Sequence, residues 1–132
     1  GAQVSMRVVN AGAGTVDVYT SASGGTSSLP SAMASGLANF AVTKYVNMAV
    51  GPLAVRAFAT GSTAFPAMLD VVAPAGVPAD RANNLTAVGG TTQAGSALTA
   101  FLVPRSVAGS AAANFTTPGV IYIVDRYPPS GF

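Results

Sequence analysis

Apolar and polar side chains alternate with period two through most of this chain, and Gly, Pro, Ser or Asn interrupts the alternation every few residues. That period sends successive side chains to opposite faces of a strand, whereas an amphipathic helix repeats every three to four residues. The runs that carry it are AQVSMRVVN (2–10), TVDVYTS (15–21), NFAVTKYVNMA (39–49), LAVRAFAT (53–60), AMLDVVA (67–73), NNLTAVG (83–89), ALTAFLV (97–103) and GVIYIVDRY (119–127). Short runs at this spacing, each closed by turn residues, specify an all-β chain of two packed sheets. The expectation is an antiparallel β-sandwich of about seven to nine strands, a single domain over residues 1–132, which is length enough to enclose one core. LPSAMASGLA (29–38), with Pro30 at its start and Gly36 near its end, is the one stretch suited to a helical turn.

MRVVNAGAGTVDVYT (6–20) reads as a hairpin, two strands folded back over a small-residue turn. Met6, Val8, Val16 and Val18 point one way, and Arg7, Val9, Asp17 and Tyr19 the other. The same phase places Val8, Val18, Tyr45, Val55, Leu69, Leu102 and Val124 on inner faces. Residues 1–10 put Val4, Met6 and Val8 on one face and Gln3, Ser5 and Arg7 on the other. Such a segment is either an edge strand of its own sheet or a donor strand filling a neighbour's groove. The donor reading makes Val4, Met6 and Val8 subunit-interface residues.

Charge narrows the function classes. Only 8% of the residues are charged, against roughly a quarter in an average soluble domain. The net charge of +2 is scattered, with no basic stripe to neutralise several phosphates, which argues against nucleic acid as a partner. No apolar run reaches the ~18 residues that a helix needs to cross a bilayer, so no transmembrane segment is expected. Gly1 leads directly into AQVSM without a secretory leader, so the expectation is a mature form whose signal was removed, or a trimmed chain. Abundant Ala, Gly, Ser and Thr with few charges leave little to keep molecules apart in solution. This composition points to an extracellular or cell-surface protein that packs against copies of itself.

Chemistry finds few handles. With no His and no Cys, zinc sites, Ser–His–Asp triads and thiol nucleophiles are excluded. Asp17, Asp70, Asp80 and Asp125 lie on four separate segments, which suits solvated or turn-capping roles better than paired acid–base work or a calcium loop. Lys44, the single lysine, could cross-link to an asparagine with Asp17 assisting, but a solvent-facing position is the simpler reading. Gly24-Gly25 and Gly89-Gly90 open no helix and so do not form phosphate loops. NLT (84–86) and NFT (114–116) fit the glycan acceptor pattern. Tyr19, Tyr45, Tyr122 and Tyr127 could line a sugar-binding face, although tyrosines at alternating strand positions more often pack on a sheet. No catalytic, cofactor-binding or metal site is expected.

The opening stretch resembles the bacterial domain-of-unknown-function 4397 family, which typically begins with an R-[VF]-V-[NH]-A strand, a short loop and a V-D-V-Y strand. Arg7, Val8, Val9, Asn10 and Ala11 match the first part, and Val16, Asp17, Val18 and Tyr19 the second. YVNMAVGPLAVRAFATGS (45–62) is similar to the family's next hairpin, with Tyr45, Gly51, Val55 and Phe58. The resemblance covers about the first half of the chain, and the loop AGAG departs from the Pro and Asp usual there. It implies a secreted or surface-anchored, immunoglobulin-like sandwich without assigned activity. Together these readings favour a non-enzymatic, self-assembling extracellular structural protein, a homopolymer subunit of a bacterial surface filament or matrix, with donor-strand exchange as one route of assembly. The alternative is a monomeric surface module for adhesion or carbohydrate binding.

Overall fold

The computed structural model describes residues 2–21, 32–62, 69–103 and 119–126. Loop 22–28, Pro30, the NFT triplet, Tyr127 and the YPPSGF tail lie outside the described residues. Within them, the strands are β1 (Gln3–Asn10), β2 (Val16–Ser21), β3 (Ala34–Leu37), β4 (Val46–Ala49), β5 (Ala54–Ala59), β6 (Leu69–Val72), β7 (Ala97–Val103) and β8 (Gly119–Arg126). One sheet has the order β4-β1-β7-β8 and the other β3-β2-β5-β6, and their inner faces pack together as an all-β sandwich. Pairing is antiparallel except between β1 and β7, which run parallel, so the wholly antiparallel expectation is corrected at that pair. Parallel neighbours need a long connection, and here the chain visits both sheets between the two strands.

The opening stretch is not a hairpin, because β1 and β2 belong to opposite sheets. Met6 and Val8 do share an inward face with Val16 and Val18, all fully buried, but across the core rather than within one sheet. Alternation fixes which face is apolar and is silent about which strand lies alongside. The crossing is organised by Asn10, whose amide nitrogen donates to the carbonyls of Gly14 at 2.7 Å and Leu37 at 2.9 Å. Its Oδ1 accepts from the amides of Gly12 at 3.2 Å and Ala13 at 2.9 Å. A buried side-chain amide thus satisfies its own hydrogen-bonding groups while holding the corner. Residues 45–62 are likewise no hairpin: β4 and β5 lie in different sheets, and Gly51, at a φ of +149°, turns the chain between them.

Three further expectations are corrected. Residues 34–37 form strand β3 instead of a helical turn, with Gly36 at a left-handed φ of +63°. Residues 83–89 form no strand; Arg81–Asn83 is a 3-10 turn, and isolated bridges Val77–Val88 and Asp80–Leu85 pin a short excursion. Tyr45 is 43% exposed, because β4 turns Met48 toward the core and leaves the odd-numbered side chains outside. The other assigned core positions hold: Val8, Val18, Val55, Leu69 and Leu102 are buried, and Val124 packs half-buried against them.

β1 is a central strand. Gln3–Met6 pair with β4, Ser5–Asn10 pair with β7, and residues 40–43 continue the cover beyond β4 through Val9–Val42. Val4, Met6 and Val8, expected between subunits, are fully buried between the sheets of their own chain. A role for them between subunits requires β1 to leave its sheet and be replaced by a copy.

At the far edge, Tyr122 on β8 reaches across the sandwich. Its hydroxyl donates to the Val71 carbonyl at 2.5 Å and accepts from the Val55 amide at 3.3 Å. Burial pushes this phenol well above its ordinary range, so it stays a neutral donor.

Candidate interaction face

The sheet β4-β1-β7-β8 turns two kinds of side chain outward. Toward one end stands a polar cluster drawn from four segments. Arg7 Nε donates to Thr99 Oγ1 at 2.8 Å, the Thr99 hydroxyl donates to Asp125, and Tyr45 donates to Asp125 Oδ2 at 2.7 Å. The Arg7 guanidinium also lies 4.8 Å from the centre of the Tyr45 ring, a cation–π arrangement. Sequence reasoning missed this cluster, since only the β1–β7 and β7–β8 registers bring Arg7, Thr99 and Asp125 together.

Toward the other end the face is apolar. Register places Val42, Val9, Phe101 and Ile121 in a row across the sheet, with Ile123 beside it. Val42 is exposed, and Ile121 and Ile123 are 54% and 49% exposed. These isoleucines stand outward because the alternate residues Val120, Tyr122 and Val124 are taken by the core. Among the described residues β8 is also the last strand of its sheet, so one side of its backbone faces no described strand of that sheet. An unpaired edge beside exposed apolar side chains is a template for strand addition.

The opposite outer face holds a different arrangement. Arg56, in the middle of β5, is flanked in register by Tyr19 on β2 and Asp70 on β6. Its side chain is fully buried, its guanidinium has no hydrogen-bond partner among the described residues, and Asp70 Oδ1 lies 3.3 Å from Nε. Tyr19 meets Phe58 edge-on at 5.6 Å. Asp17 is spent on backbone, its Oδ2 accepting from Gly61 at 3.0 Å and its Oδ1 from Gly36 at 2.7 Å. Both contacts, that of Gly61 foremost, hold its carboxyl below the usual range.

A third surface is the excursion 77–88. Its neck is tight, since a Cβ at Gly90 would meet the Gly76 amide nitrogen at 2.2 Å. Asp80 caps the 3-10 turn, accepting from the Asn83 side chain at 2.7 Å and the Asn83 amide at 3.3 Å, and these bonds, the side chain's foremost, lower its pKa. Val77, Leu85 and Val88 are exposed along it, and Asn84 of the NLT triplet follows the turn.

The remaining candidates come apart. Among the described residues, no three His, Cys, Asp or Glu side chains gather where a metal could sit. Lys44 is exposed rather than in the core, where a protected cross-link would need it. Tyr19, Tyr45 and Tyr122 occupy one outer face, the other outer face and the sheet-to-sheet contact, so they form no shared aromatic platform. No described helix is long and apolar enough to cross a membrane. Compared with protein-family models and with curated proteins, the chain matches none.

Proposed function

We propose that this chain is a non-enzymatic, self-assembling extracellular structural protein, a subunit of a bacterial surface filament or matrix. One observation carries the reading: β8, the last described strand of its sheet, borders an outward apolar surface of Ile121 and Ile123 in a chain that is only 8% charged. Few charges mean weak repulsion between copies, and exposed apolar edges favour strand-to-strand contact. Membership of the bacterial domain-of-unknown-function 4397 family belongs to the same proposal and rests on Arg7–Ala11 and Val16–Tyr19. Asn10 and Asp17 in those stretches tie loops to strands, which suits a motif that defines architecture rather than chemistry. β1 enters this assembly only as a swapped strand, so β8 replaces residues 1–10 as the favoured contact.

Light scattering over a concentration series, with negative-stain microscopy of the same samples, tests the proposal. Species larger than one chain are expected, and a single-chain mass at every concentration overturns it. The second reading, a monomeric binding module, is favoured by the exposed Val77, Leu85 and Val88 on excursion 77–88. A monomer that binds immobilised polysaccharide, and loses binding on Leu85→Asp, decides for that reading.

A further inference from the structure

We infer that two copies of this chain join through β8, antiparallel about a two-fold axis normal to the sheet, to form one continuous eight-stranded sheet. The inference rests on the self-assembly reading and names its contact.

The four sheet edges are unequal. Among the described residues β4, β3 and β6 span four residues each, whereas β8 spans eight, and residues 40–43 continue the β4 edge only through the isolated Val9–Val42 bridge. The short edges also carry features that discourage pairing. Exposed Lys44 precedes β4 and Pro52 follows it closely. β3 contains Gly36 at a left-handed φ and pairs with β2 in a broken register, and β6 presents exposed Asp70 before Pro74. β8 has neither Lys nor Pro within it. Its charged residues, Asp125 and Arg126, stand at its end and are turned back into their own chain. Asp125 accepts from Tyr45 and Thr99, and Arg126 Nε donates to the Gly95 carbonyl at 2.9 Å.

β8 also suits itself as a partner. Antiparallel copies keep their outer faces on the same side, so Ile121 and Ile123 of one chain stand beside those of the other. The apolar row Val42–Val9–Phe101–Ile121 then runs on across the seam. A head-to-tail contact of β8 with the β4 edge of a copy would instead meet a four-residue strand continued only by the isolated bridge at Val42. An isologous contact closes at two subunits, so the pair is the building unit and a filament or matrix needs a second contact. Two single strands bury less than a permanent dimer interface, so pairing depends on concentration.

The test is size-exclusion chromatography with light scattering over a dilution series, on the full chain and on Ile123→Lys. The wild type should rise first from the mass of one chain to that of two, the building unit. Ile123→Lys sets like charges across the seam from an exposed position. It should run as one chain at the same concentrations, with circular dichroism and thermal midpoint unchanged. If that variant is misfolded, Ile121→Lys provides the same comparison. Wild-type-like pairing by a folded variant overturns the β8 contact and leaves self-assembly standing. Wild-type mass that climbs past two chains, yet falls to one in the variant, overturns the two-fold closure. A wild type that stays monomeric throughout overturns this inference and the proposed function together.

Discussion

Asp17 accepts two backbone amides, one from Gly36 in β3 and one from Gly61 beyond β5, so a single carboxylate ties both strands flanking β2. Its pKa is lowered in the fold, so its contribution is present above the unfolded value of 3.8 and is lost as pH falls through the depressed folded value. Urea unfolding at stepped pH should show Asp17→Asn less stable at neutral pH and less sensitive to acid below about pH 4. An acid limb as steep as the wild type's would place that sensitivity elsewhere. Arg56 poses the opposite problem, a buried cation whose neighbour of opposite charge, Asp70, is half-exposed. Removing Asp70 strands the guanidinium, whereas replacing Arg56 with an apolar side chain removes the desolvated charge itself. Asp70→Asn is therefore expected to destabilise by roughly 1–3 kcal/mol, and Arg56→Met to be neutral or stabilising in the same unfolding assay. The reverse order would mean that the pair holds the sheet together.

At the scale of elements, β1 bears most directly on assembly. It is paired on both sides, and Val4, Met6 and Val8 are in the core of their own chain. Met6→Ala should cost about 2–5 kcal/mol, and an aspartate at Val4 or Met6 should leave no folded monomer, because a buried carboxylate would lack a partner. Circular dichroism after refolding checks this. A folded Val4→Asp chain would show that β1 is dispensable to the monomer, as donor exchange requires. The strands themselves were legible: seven of the eight lie within runs picked out by alternation. β3 escaped because Ala34-Ser35-Gly36-Leu37 has little apolar contrast, and its pairing is fixed through Asp17 rather than by its own pattern. Residues 83–89 misled in the other direction, since alternation without a partner strand gives only isolated bridges.

Across the whole molecule, the two sheets meet over a core centred on Met6, Val18, Val55, Leu98 and Leu102, and Tyr122 fastens their edges with two hydrogen bonds. The outer faces divide into a polar cluster around Asp125, an apolar row ending at β8, and the buried Arg56. None of these could be seen in the sequence, because each joins residues from strands far apart in the chain. The absence of His and Cys and the scarcity of charge did limit the chemistry in advance, and the all-β sandwich followed from alternation. Alternation is a local property, set by which side of a strand each Cβ leaves, and so the sequence determined strand faces and most of the core by itself. Neighbours, sheet order and edges are set by long-range pairing, to which the period is blind. Only the tertiary structure decided that β1 and β2 face each other across the core, that β1 is held on both sides, and that β8 ends its sheet among the described residues.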